Sequence, residues 1–481
     1  MSRPVAPVSP TSYQMEDWQQ GYTTLRQESA YWLEPTVGQV PPQLRGTLFR
    51  NGPGQLDVGG QFYGHPFDGD GMITAFTFRD GRVHFANRFI RTPEYVAEQE
   101  AGRILYRGVF GTQKPGGGWR NCFDLRFKNP ANTSVIYHGG KLLALWEASH
   151  PYVVDPATLD TLGRETFHGA LEPGQPFTAH PRRDPETGDL WAFGVRAALN
   201  STLSFYRINA DGVMVEKQDH TVPGFCFLHD FVWTPQYRIF FQNPIRFQAL
   251  PFVLGLRPAG TCLESVPNTP TTIWVYDREG SRITLESPAG FIFHHVNGYE
   301  DQGRVIVDSI FYADYPGLEP DSDYRQIDFA TVPAGSLRRY TLDLARRTVH
   351  EEILVTRSVE FPVINPRHMG RPYRYVYTGA TDSATGNAPL QAILKVDLHT
   401  GTEQLYSFAP RCFVSEPIFV PAPEAVREDD GWLLVTIFDG ERRASSLVIL
   451  AATTLTEVCR CDLPHHLPYA LHGQFTPEVF V

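Results

Sequence analysis

Four histidines stand in apolar or aromatic company: His180 in PFTAHPR, His229 in FCFLHDF, His294 in FIFHHVN and His472 in YALHGQF. A neutral imidazole offers one lone pair to a metal and one N–H to an acceptor. None of the four has the i, i+2 or i, i+4 spacing of a local chelate. A shared metal would therefore draw each ligand from a distant segment. Three glutamates sit in equally apolar settings: Glu147 in LALWEAS, Glu360 in SVEFPV and Glu416 in FVSEPIF. A buried carboxylate needs a partner, and a metal-bound histidine commonly gives its second N–H to one. In chain order Glu147, His180, His229, His294, Glu360, Glu416 and His472 are separated by 33, 49, 65, 66, 56 and 56 residues. Two readings stand at this point: one metal centre backed by carboxylates, or unrelated internal salt bridges. The pair His294–His295 adds a choice, because neighbours on a strand face opposite sides and only one of them can join such a centre. Of the remaining histidines, His84, His138, His350 and His399 fall in hairpins or turns and are expected at the surface. His465 and His466 precede a proline-rich turn.

The elements that would position these residues are strands. Asp-Gly, Asn-Gly and Gly-Gly pairs recur between short runs rich in Val, Ile, Phe and Tyr, as in MITAFTFRDGRVHFANRF and VIYHGGKLLALWE. These are strong hairpin signals. Helical periodicity is scarce; Glu94 to Ala101 carries the best of it, and PTSYQMEDWQQGY has room for a short helix. Short strands in series over more than 400 of the 481 residues fit an all-β propeller better than a sandwich. Its blades would be degenerate, since no strict repeat is visible. The inner strands of a propeller all point at one axis, which is how distant ligands could meet. Residues 1–45 are proline-rich and read as an N-terminal arm wrapping a single domain of 1–481.

Composition narrows the function classes. The formal net charge is −11 with no basic stripe, which argues against a nucleic-acid partner. No 18-residue apolar segment is present, and MSRPVAPVSPTSYQMEDW is not expected to act as a secretory leader. Six scattered cysteines suit reduced thiols in a cytosol, and Cys459 and Cys461 read as two side chains on one face of a strand. Aromatic residues make up 13% of the chain, enough to line a cavity.

The motifs GTLFRNGPG, HPFDGDGM, NPANTSVIYHGGKLLALWE, FTAHPR, FLHDF, FHHVNGYE, EFPVINPR, RPYRYVY, GNAPLQAILKVDL, SEPIFVP and YALHG run through nearly the whole chain. In that order they resemble the carotenoid cleavage oxygenases, most closely their cyanobacterial-type apocarotenoid 15,15′-cleaving branch. The resemblance implies a seven-bladed β-propeller with a loop and short-helix cap over one face. It implies one Fe(II) per chain held by His180, His229, His294 and His472, with His295 only a strand neighbour. Glu147, Glu360 and Glu416 would support three of these ligands. Thr133 would crowd one open iron position, and Trp146, Phe227, Phe293 and Tyr312 would line an apolar tunnel.

The implied reaction is cleavage of a conjugated double bond by O₂, giving retinal and a second aldehyde from an apocarotenal. No flavin or nicotinamide motif is present, in keeping with a reaction that needs no external reductant. An apolar polyene offers mostly area, so rigid rings would hold one double bond in place. The expected chain is a cytoplasmic monomer that docks on a membrane through Phe240 to Leu256, which carries Phe240, Phe241, Leu250, Phe252, Val253 and Leu254. Two alternatives remain: cleavage of hydroxystilbenes, or a non-catalytic carotenoid-binding propeller. A stilbene phenol would want a polar group, and Lys128 near a turn is expected to be solvated instead.

Overall fold

The computed structural model describes residues 13–317 and 322–481. The first 12 residues of the expected arm lie outside the described residues. Seven antiparallel sheets form the blades of a β-propeller, here numbered 1 to 7 in chain order, with two small two-stranded sheets beside them.

The blades follow from the turn signals. In blade 1 the strands Asp70–Arg79 and Arg82–Phe89 are joined by Asp80 and Gly81, at φ 52° and 70°. Positive φ at both central residues is the hairpin turn whose twist matches paired strands. Alternation along each strand then sends neighbouring side chains into different blade junctions. Phe240 packs with Phe193, Phe205 and Trp274 between blades 3 and 4. Its neighbours Ile239 and Phe241 pack with Val305 and Val307 between blades 4 and 5. Seven such clusters, one per junction, make up most of the core.

The ring closes through the two ends of the chain. The strand Gly473–Thr476 is the innermost of blade 1, where Thr47 faces Thr476 and Arg50 faces Gly473. Ser29–Leu33 adds an outer strand to blade 1, and Pro35–Gly38 adds one to blade 7. The helix Met15–Gln20 is held by an ion pair from Asp17 to Arg411 at 2.6 Å. The helix Pro93–Ala101 starts at a Thr92 cap with proline in its first turn and stops at Gly102, φ 60°. Cys459 and Cys461 share one face of their strand with sulfurs 3.9 Å apart.

Three expectations fail here. Phe240 and Phe241 are 0% and 2% exposed, because a blade strand is buried on both faces. His138 is buried with Nε2 at 2.7 Å from the carbonyl of Asn209, and burial pushes its pKa down to about 4. Lys128 is 3% exposed rather than solvated: its Nζ lies 2.9 Å from Asp70, 2.9 Å from Glu98 and 2.6 Å from the Tyr63 hydroxyl. Two carboxylates neutralise it in place, which is what a buried ammonium requires.

Candidate metal centre

Each of the four histidines sits at the axial end of a different blade. His180 precedes the inner strand Arg182–Arg183, His229 precedes Val232–Trp233, His294 lies in Phe291–Asp301, and His472 precedes Gly473–Thr476. Glu360 is carried by the inner strand Val359–Val363, and Glu416 follows Cys412–Val414. Glu147 differs: it follows Lys141–Leu145, the second strand of its blade. The innermost position there is taken by Thr133, just ahead of Ser134–His138.

The choice between His294 and His295 is made by backbone irregularity. Ile292 pairs with Phe311 and His295 with Ser309, so two residues oppose one, and the register slips again before Asn297. Bulges of this kind re-aim side chains next to sites. His294 turns to the axis. His295 is 3% exposed, binds Ser309 Oγ through Nδ1 at 2.7 Å and packs on Phe241, ring centroids 5.0 Å apart.

The structure brings the four rings together, with one ligand atom from each within 4.8 Å of the others. The Nε2 atoms of His180 and His229 are 2.9 Å apart. Three glutamates stand behind them. Nδ1 of His229 lies 3.0 Å from Glu147, Nδ1 of His294 2.7 Å from Glu360, and Nδ1 of His472 2.9 Å from Glu416. A carboxylate accepts, so each of these Nδ1 atoms carries a proton and each Nε2 carries a lone pair. Lone pairs pointing at one spot call for a cation, and among the described residues buried Nε2 of His294 has no hydrogen-bond partner. Burial and the three surrounding imidazoles hold His180 well below the ordinary histidine range, so it too is a neutral donor. Burial alone would raise the carboxyls of Glu147 and Glu360, but the adjacent imidazoles more than offset it and both titrate low. An all-nitrogen set backed by carboxylates fits a divalent transition metal.

Supports with no direct signal in the amino-acid sequence surround this core. Asp230 Oδ2 accepts from Arg182 at 2.5 Å and from the backbone N–H of His295 at 2.8 Å, while Arg182 also donates to the His295 carbonyl at 3.0 Å. The segments bearing His180, His229 and His294 are thereby tied together. On the far side, buried Arg50 donates to the Glu416 carbonyl at 2.6 Å. The one available signal was a charged residue within two positions of a candidate histidine, in FTAHPRR and FLHDF. Phe361, next to Glu360, holds φ 54°, an uncommon conformation for a bulky residue. It places its ring 5.5 Å from that of His472.

Two adjoining cavities lie beside the centre, walled in part by Glu360, Leu471 and Phe293, which neighbour its histidines. One of about 310 Å³ is walled by Tyr312, Glu360, Phe361 and Leu471. The other, about 240 Å³, is walled by Phe67, Phe110, Phe293 and Tyr315, and Phe329 borders both. The Phe293 ring is 5.5 Å from that of His229. Tyr312 was expected as an apolar wall, yet its hydroxyl donates to Glu360 at 2.8 Å. Trp146 and Phe227 are not among the residues lining these two cavities. Phe227 packs at a tilt against Phe291, ring centroids 6.1 Å apart, and Trp146 is buried beside Glu147. Thr133 lies next to Glu147, its Oγ1 3.4 Å from Oε2.

The family described as RPE65, retinal pigment epithelial membrane protein, matches residues 22–477. Apocarotenoid-15,15′-oxygenase of Synechocystis sp. is 48% identical, the alignment covering 98% of this chain and 99% of that protein. Resveratrol cleavage oxygenase 1 of Aspergillus fumigatus is 30% identical, with 91% of each covered. A cobalt-substituted structure of the Synechocystis oxygenase superposes with a TM-score of 0.95 at 47% identity, covering 97% of this chain and 99% of that one. With the four-histidine cluster fitted for iron at the axis of the same propeller, the chain belongs to the RPE65/carotenoid cleavage oxygenase family.

Proposed function

We propose that this protein is an iron-dependent oxygenase that cleaves the 15,15′ double bond of apocarotenals, yielding retinal and a second aldehyde. The observation that carries the reading is the convergence of four imidazoles beside an aromatic cavity walled by Phe293. The similarity to the Synechocystis enzyme supports the substrate class. His180, His229, His294 and His472 would hold the iron, which would supply the site for O₂ activation. The chain's own groups do the rest. Glu147, Glu360 and Glu416 hold three imidazoles in one tautomer. The cavity rings exclude water and keep the polyene flat against the centre, so that one double bond is presented. Thr133 narrows the approach on the Glu147 side. Both carbons of that bond leave as carbonyls, the alkene itself supplying the electrons.

The deciding experiment is mass analysis of products from an apocarotenal incubated with the Fe(II)-loaded protein under ¹⁸O₂. Two aldehydes, with label from O₂ before exchange with water, are expected. An isomer of the substrate carrying no new oxygen would overturn the reading. Hydroxystilbenes are expected to be poor substrates, because Lys128 is already neutralised by Asp70 and Glu98.

Polyenes reside in lipid, and among the described residues no helix is long and apolar enough to cross a membrane. The docking surface we assign differs from the full Phe240–Leu256 stretch. Phe252 is buried, with Arg107 over its ring at 4.3 Å. Leu250, Leu254 and Leu256 are exposed, as are Trp119, Phe123 and Leu125 on a neighbouring loop. The Phe123 N–H donates to the Val253 carbonyl at 2.8 Å, which joins the two loops. Arg120 lies over the Trp119 ring at 5.1 Å, adding a cation beside the apolar group. These same insertions contribute Phe110 and Gly260 to the second cavity, so docking and substrate entry would share one face. Replacing Trp119, Phe123 and Leu254 by Ser is expected to weaken liposome co-sedimentation by about tenfold or more, the scale of burying a single large apolar side chain. Cleavage of detergent-dispersed substrate should persist. Unchanged co-sedimentation would dismiss this surface.

A further inference from the structure

We propose that His65 and Tyr324 form a hydrogen-bonding subsite in the second cavity that selects polyenes whose end group carries an oxygen acceptor. This rests on the cleavage function proposed above and deepens it. The walls of that cavity are mostly aromatic, among them Phe67, Phe110, Phe293, Tyr315 and Phe329. His65 and Tyr324 line it as well. His65 starts the short turn Pro66–Asp68, and its Nδ1 accepts the N–H of Phe67 at 3.1 Å. Its ring lies stacked on Phe110, centroids 5.1 Å apart, and edge-on to Phe67 at 4.7 Å. Burial pushes the imidazole pKa down to about 4, so the ring is neutral at ordinary pH. A neutral imidazole that accepts at Nδ1 holds its proton at Nε2. His65 therefore presents a donor, and among the described residues that donor has no partner. Tyr324 is 5% exposed, its ring centroid is 6.5 Å from that of His65, and among the described residues its hydroxyl has no hydrogen-bond partner. Buried tyrosine hydroxyls ordinarily find one.

The chemistry these donors fit is a carbonyl or hydroxyl oxygen at one end of an otherwise apolar ligand. Such a contact answers a need that area cannot meet. A conjugated chain repeats every two carbons, so rings alone grip it equally well after a slip of one double bond. One hydrogen bond at a fixed place near the end sets the register, and with it the bond that is cut.

The test compares four polyenes of equal length with the iron-loaded enzyme: terminal aldehyde against terminal methyl, and hydroxylated against plain ring. The oxygen that matters identifies which end lies at His65. Wild-type kcat/KM should favour one oxygenated member by about five- to tenfold, the worth of a neutral hydrogen bond. His65→Ser keeps a cap for the Phe67 N–H while removing the imidazole Nε2–H that reaches into the cavity, and Tyr324→Phe removes only the hydroxyl. Both variants should bring the ratio close to one by slowing the oxygenated substrate, and products cut at a neighbouring double bond should appear. A ratio and a cleavage position unchanged in both variants would overturn the subsite. Titration of the same ligands into metal-free protein by tryptophan quenching gives Kd ratios that decide it without turnover. Failure of the cleavage reading would instead show as no product from any of the four.

Discussion

Alanine at His180, His229, His294 or His472 is expected to abolish iron retention and product formation, while His295→Ala retains at least half the iron of the parent protein. The four rings supply all the nitrogen donors of the cluster, so each loss removes a metal bond. Three of the losses also strand a charged glutamate, since Glu147, Glu360 and Glu416 would face a gap where an N–H had been. His180 is the control for that second effect, because among the described residues no carboxylate lies within hydrogen-bond reach of its ring. His295 has a different cost. Its ring binds Ser309 and packs on Phe241, so alanine there opens a cavity and lowers stability without touching the cluster. Iron per chain after desalting, measured beside thermal unfolding, separates the cases. Iron lost from His295→Ala but kept by His294→Ala would reverse the assignment of that strand.

Much of this centre is legible in the amino-acid sequence, and the reason is chemical. Histidines and glutamates embedded in apolar runs are costly unless they are used, so PFTAHPR, FCFLHDF, SVEFPV and SEPIFVP stand out against their surroundings. Their spacing suggests one per blade, and the seven do fall on seven different blades, but Glu147 comes from a second strand instead of the innermost one, which no spacing argument could reveal. The side that His294 takes is equally hidden, because it depends on bulges set by pairing with Ser309 and Phe311. Phe240 and Phe241 mislead for a related reason. Consecutive aromatics look like a patch to be covered by a membrane, whereas a blade strand buries both faces and sends the two rings to different junctions. Lys128 misleads because its partners Asp70 and Glu98 are remote in sequence. The helix Pro93–Ala101 is legible since its signals are local: a capping threonine, a proline and a final glycine.

Replacing each supporting glutamate by glutamine is expected to weaken iron binding unequally, with Glu416→Gln the most damaging. All three variants remove a negative charge behind the cluster, and losses of ligand-orienting carboxylates run about 10- to 100-fold in metal affinity. Geometry then separates them. Glu360 accepts from both His294 Nδ1 and the Phe361 N–H through Oε2, at 2.7 and 2.5 Å, and from the Tyr312 hydroxyl through Oε1 at 2.8 Å. Glutamine can put its oxygen toward the two N–H groups and its amide toward Tyr312, whose oxygen accepts as readily as it donates. Glu147 is similar: one oxygen serves His229 and the other meets the Thr133 hydroxyl, which can turn. Glu416 has no such freedom. Oε1 accepts from His472 and Oε2 accepts from the Gly473 N–H at 2.8 Å. Either orientation of glutamine aims an amide N–H at another fixed N–H, so either the backbone or the ligand loses its acceptor. Glu147→Gln and Glu360→Gln should therefore fall near the tenfold end, and Glu416→Gln near the hundredfold end, in iron affinity measured by chelator competition. Equal losses at all three would leave only the charge as the cause. A Glu416→Gln variant that binds iron more tightly than the other two would contradict the hydrogen-bond account altogether.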